Sequence, residues 1–145
     1  MVRVYGLIFI KLGNRARKYA EYAPEPKPGR IRGVKLTSFC ITNAIDFCSS
    51  VTGFPGQDVE NVIPENITFE YLSSPAPDQI FETVPEHEKR YPEITLFSKR
   101  MPVRNYLPAY GLMLYNFRVN PVSDDRRPKY RVIDVKNMQI DDDKN

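Results

Sequence analysis

Apolar and polar residues alternate in several short stretches of this chain, and in one place they recur at helical spacing. From Val2 to Lys11, Val2, Val4, Ile8 and Ile10 point one way and Tyr5, Leu7 and Phe9 the other. Apolar residues on both sides predict a strand covered on both faces. Ile31 to Leu36 reads as a second strand. Asn66 to Leu72 alternates cleanly, with Ile67, Phe69 and Tyr71 inward and Thr68 and Glu70 outward, the mark of a half-buried strand. Glu93 to Ser98 is a short strand. Ala109 to Val119 is a longer one, with Met113, Tyr115, Phe117 and Val119 on one face. Lys129 to Val135 is placed to pair with it across the loop 120–128.

Between Ser38 and Val51 the spacing changes. Ile41, Ala44, Ile45, Cys48 and Val51 share one helical stripe, and Asn43, Asp46 and Ser50 lie opposite. This predicts the main helix, at about 38–52, capped by Ser38 and stopped by Gly53 and Pro55. Asn14 to Tyr22 reads as a short basic helix, and Asp78 to Thr83 as a single helical turn. Pro24, Pro26 and Pro28 make 23–30 an extended arm. A second Pro-rich connection spans 73–92. No internal repeat stands out. One main helix among several strands predicts an α+β fold: a single domain over 1–140 with a mixed or antiparallel sheet and Pro-rich arms, followed by an acidic tail at 141–145.

Composition supports one folded domain. The chain has 145 residues, 41% hydrophobic and 27% charged, enough to bury roughly 70% of its unfolded surface. Thirteen prolines against seven glycines favour stiff extended connections over tight turns. The longest apolar run, Val4 to Ile10, is far shorter than the roughly 20 residues of a membrane span. Basic residues follow it where a secretory signal needs small ones. Two cysteines make no disulfide framework. On the expected helix Cys40 and Cys48 stand about 12 Å apart at about 1.5 Å per residue, beyond the roughly 7 Å reach of a disulfide. They read as buried, inert thiols in a reducing intracellular compartment. A basic N-terminus also admits a mitochondrial address, and a virion is the other location considered.

Charge is sorted by position. Residues 1–36 hold nine Lys/Arg and two Asp/Glu, 37–98 hold two and ten, and 99–145 hold ten and six, so the net of +3 conceals blocks of +7, −8 and +4. Such blocks attract one another within a fold or face charged partners.

The chemistry inventory is short. The lone histidine, His87, lies among Glu86, Glu88 and Lys89, a surface pattern with no orienting partner for acid–base work. Glu82, Glu86, Glu88 and Glu93 read as a solvated acidic face, not a glycosidase pair. Three Cys/His residues at wide spacing do not suit zinc, and no phosphate-binding or nucleophile motif occurs. The sequence therefore predicts no enzyme, no cofactor and no metal.

It predicts a structural or interaction subunit of a large multi-protein assembly, such as a virion shell or a mitochondrial or ribosomal complex. The expected contact residues are Arg15, Arg17, Lys18, Tyr22, Pro24, Pro26, Pro28, Arg30, Arg32, Arg126, Arg127 and Tyr130. The alternative is an RNA-associated protein using the basic blocks 11–36 and 126–131, where cations interleave with tyrosines able to stack on bases.

Overall fold

Extended chain, not a helix, occupies Arg32–Ile45 and Ser49–Thr52. The computed structural model describes residues 4–5, 8–14, 17–45, 49–71, 87, 89–93, 105–106, 110–122, 130 and 132–141. Among them are eight strands and no helix. They are β1 (Val4–Tyr5), β2 (Phe9–Lys11), β3 (Arg32–Ile45), β4 (Ser49–Thr52), β5 (Glu60–Tyr71), β6 (Asn105–Tyr106), β7 (Tyr110–Pro121) and β8 (Gln139–Asp141).

The strands form two sheets, in the order β1-β3-β5-β7-β8 and β2-β4-β6. Every pairing between them is parallel. Up to β7, successive strands alternate between the sheets, so the chain coils and lays each turn on the one before. This is a parallel β-solenoid, in which each rung contacts only its neighbours. The expected α+β fold with a mixed or antiparallel sheet is thus overturned. The helix expected at 38–52 is the second half of β3 together with β4. The hairpin expected between Lys129–Val135 and β7 is replaced by the parallel pairing of β8. Asn14–Tyr22 is also non-helical where described; the local hydrogen bond there is a turn, Ala23 N–H to the Ala20 carbonyl. The helical turn at 78–83, the segment 94–98 of the strand expected at 93–98, and most of 73–92 lie outside the described residues.

Two columns of left-handed residues shape the rungs. Gly33, Asn61, Gly111 and Asn137 have φ of 70°, 53°, 66° and 55°. The strand register pairs Val34 with Val62, Val62 with Leu112, and Met113 with Gln139, so these four residues stack one above another. Ser38, Asn66 and Asn116, with φ of 60°, 54° and 46°, form a second column in the same register. Asparagine and glycine tolerate this conformation best among the residues. Each such residue turns the strand and shifts the phase of its pleat. Inward positions are therefore Leu112 and Leu114 before Asn116, but Phe117 and Val119 after it. Strict alternation had placed Met113 and Tyr115 on that face; they point outward. The three-residue step from Ile41 to Ala44, which gave the expected stripe its helical rhythm, coincides with a register irregularity in β3.

The core is built from the same registers. Val62, Ile67 and Phe69 of β5 are fully buried and lie over Leu112, Leu114, Phe117 and Val119 of β7. Phe69 packs edge-on against Phe117 at 5.2 Å between ring centres and meets Phe39 in a tilted arrangement at 6.2 Å. Each such side chain contributes about 1.5–3 kcal/mol of burial. Val34, Leu36, Phe39 and Ile41 of β3 pack on this core and are only half-buried. Gly53, Phe54 and Gly56 form the turn from β4 toward β5, where Phe54 and Gln57 exchange backbone hydrogen bonds. Gly53 and Pro55, expected to stop a helix, instead follow the end of β4.

The second column is also bonded through its side chains: Asn116 Nδ2 donates to Asn66 Oδ1 at 2.9 Å. Asn116→Gly should keep the backbone conformation and lose only this bond, at a cost of about 0.5–1.5 kcal/mol. Asn116→Ala should cost about 1 kcal/mol more, because alanine resists positive φ. Urea midpoints of the two variants check the order, and equal losses would remove the corner's conformational role.

Candidate interaction surfaces

The basic segment before and at the start of β3 is largely exposed. Arg17, Lys18, Tyr22, Pro24, Arg30 and Arg32 are exposed, and Pro26 and Pro28 are half-buried. Ala23 anchors the arm, being buried. Lys18 pairs with Glu25 at 2.7 Å, so part of the arm's charge is neutralised locally. Tyr19 and Tyr22 are 84% and 87% exposed and meet edge to face at 6.4 Å.

Tyr130 is placed differently. Its ring packs on the core beside Phe117, and its hydroxyl donates to the Phe117 carbonyl at 3.5 Å. It supports the β7 rung and is not a free stacking platform. Arg15, Arg126 and Arg127 lie outside the described residues. The described N-terminal members of the expected set thus lie in 17–32, before and at the start of β3, whereas Tyr130 packs on the core.

Cys40 is exposed on β3, which corrects its expected burial: after the Ser38 corner the inward positions are Phe39 and Ile41, and residue 40 faces solvent. Cys48 lies outside the described residues. His87 sits at positive φ in a turn closed by the Arg90 N–H. Among the described residues no three His, Cys, Asp or Glu gather to hold a metal ion, and no helix is long and apolar enough to cross a membrane.

The two ends of the rung stack are surfaces that the apolar pattern alone did not reveal. β1 pairs only with Ala44 and Ile45 of β3. Among the described residues no strand pairs with β3 between Arg32 and Asn43 on that side. At the other end β8 pairs with β7 alone, leaving its second edge unpaired by any described strand. Ile140 there is 42% exposed and Met138 half-buried. Between the ends, neighbouring rungs are tied by outward side chains. Lys35 reaches Glu65 on the next rung at 2.9 Å, and the Tyr115 hydroxyl donates to Gln139 Oε1 at 3.3 Å.

A repeat marks these surfaces in the sequence. Gly33-Val34-Lys35-Leu36-Thr37-Ser38-Phe39, Asn61-Val62-Ile63-Pro64-Glu65-Asn66-Ile67 and Gly111-Leu112-Met113-Leu114-Tyr115-Asn116-Phe117 share one pattern. Gly or Asn opens it, Ser or Asn stands five residues later, and apolar residues occupy the same positions between and after. Asn137-Met138-Gln139-Ile140-Asp141 begins it a fourth time. Unequal separations of the copies hide it from a search at one fixed period. No protein-family model, curated protein or solved structure matches the chain.

Proposed function

We propose that this protein is a non-enzymatic structural subunit of a larger protein assembly, and that it makes its contacts through its rung edges and its Pro-rich arm. The observation that carries this reading is the contrast along the stack. Middle rungs bury Val62, Ile67, Phe69 and Leu112 completely, while the end strands leave apolar side chains half-covered beside backbone that no described strand pairs. Unpaired edges are templates for another chain, and a subunit covers them on assembly. The arm adds a stiff, extended segment that loses little entropy when it lies along a neighbour. A virion shell and a mitochondrial or ribosomal complex are the settings that fit such a subunit.

The alternative, RNA association, is favoured by one observation: the exposed Tyr19–Tyr22 pair stands beside Arg17 and Lys18. Cations flanking exposed rings suit single-stranded nucleic acid.

Native size separates the two. The tagged full-length chain, recovered from its native source, should elute well above the 16.8 kDa monomer and stay there after ribonuclease treatment. Elution as a monomer would overturn the assembly reading. Collapse on ribonuclease would replace it with the RNA reading.

A further inference from the structure

We infer that the partner fitting the β8 edge is the β3 edge of a second copy of this chain, so that copies stack head to tail with one chain's Asn137–Asp141 laid on the next chain's Gly33–Thr37. The inference rests on the structural-subunit reading and names the partner.

The first argument is the corner column. Within the chain it runs Gly33, Asn61, Gly111, Asn137. A Cβ placed on Gly111 would lie 2.6 Å from Asn61 Oδ1, so the asparagine of one rung sits over the glycine of the next. Gly33 has the same conformation, but a Cβ there would meet nothing within 4 Å. Laying Asn137 over Gly33 of a second copy repeats the Asn61–Gly111 arrangement and continues the alternation.

The second argument is the core. In that register Met138 falls on Val34 and Ile140 on Leu36, the columns that hold Val62 over Leu112 and Pro64 over Leu114 within one chain. All four end residues are incompletely buried, and stacking at the usual rung spacing of about 4.8 Å covers them together.

The third argument is charge. Lys35 already pairs diagonally with Glu65 of the adjoining rung. Asp141 occupies the same outward column as Glu65, because the register pairs Glu65 with Tyr115 and Tyr115 with Asp141. In the stack Asp141 is the diagonal neighbour of the next copy's Lys35. The opposing contact is Lys136 against Arg32; both are exposed and screened by salt. A head-to-tail contact of this kind does not close on itself and extends into a row.

Charge exchange tests the register. In sedimentation velocity the purified full chain should grow in mass with concentration. Lys35→Glu and Asp141→Lys should each weaken self-association about tenfold or more, since each places like charges at the contact. Mixed in equal amounts they should associate again, because each variant then meets its complement at both ends. Recovery on mixing excludes misfolding as the cause of the single losses. A wild-type chain that stays monomeric at every concentration would overturn the stacking, as would a mixture no tighter than the single variants. If the purified chain is monomeric while the native complex remains large and ribonuclease-resistant, the stacking fails and the subunit reading stands. A monomer in both experiments removes both.

Discussion

Phe69→Ala should remove about 3–5 kcal/mol of stability, read as a fall in the urea midpoint with the fold otherwise retained. Domains of this size are typically stable by only about 5–15 kcal/mol, so the loss is a large share of the whole. The reason is position. Phe69 is fully buried on β5, between rungs, and touches Phe39 of β3 and Phe117 of β7. Its ring therefore contributes to two interfaces at once. In a stacked fold each rung is stabilised by its neighbours, so a cavity at the central rung weakens coupling on both sides. Tyr22→Ala, on the exposed arm, should stay within about 0.5 kcal/mol of wild type. A Phe69→Ala loss below about 1 kcal/mol would mean that β5 is not the centre of the core.

The strand around Asn66 to Tyr71 was legible from its alternation, whereas Val2–Lys11, read as one strand, is the two strands β1 and β2 in different sheets. Ile67 and Phe69 lie inward and Thr68 and Glu70 are only partly covered, as period-two reading of that segment predicts. Legibility failed at the corners. A residue at positive φ shifts the pleat by one position, so Phe39 and Ile41 continue the inward face of Val34 and Leu36 out of phase. The three-residue step from Ile41 to Ala44, where β3 shifts register, then adds the spacing of a helical stripe. The corners were themselves visible as Gly, Asn or Ser five residues apart, but one such pair is only a turn signal. It becomes a fold signal when it recurs with apolar residues at matched positions. Parallel pairing was invisible for a further reason. Parallel strands are usually joined by helical crossovers, and with a single expected main helix the pattern favoured a mixed or antiparallel sheet.

The sorted charge changes meaning in this fold. As linear blocks it resembled a nucleic-acid signal. On the solenoid, Lys35 and Glu65, from the basic and acidic blocks, face each other on neighbouring rungs. Part of the sorting is thus rung-to-rung complementarity. An exposed pair of this kind is worth at most about 1 kcal/mol, so its main effect is on register, not stability.

Gly53→Ala should be the most damaging of the small substitutions, at about 3 kcal/mol, and Gly29→Ala should be neutral or slightly stabilising. Both replace hydrogen by methyl, and neither glycine has the left-handed conformation. The surroundings decide. A Cβ on Gly53 would lie 2.4 Å from the Gln57 carbonyl oxygen, 3.2 Å from Asp58 Cα and 3.3 Å from Val59 N. All three are backbone atoms, so no side-chain rotation relieves the collision. The turn must open, and opening it disturbs the paired Phe54–Gln57 hydrogen bonds and the buried Phe54 and Val59. Overpacking costs of about 1–3 kcal/mol are usual even where side chains can adjust, so the upper end applies here. At Gly29 a Cβ meets nothing within 4 Å, and alanine only narrows the unfolded ensemble, a gain of about 0.4–1 kcal/mol. Paired urea titrations of the two variants measure the difference. Similar midpoints would show that the turn after β4 does not hold the close backbone packing on which the passage from β4 to β5 depends.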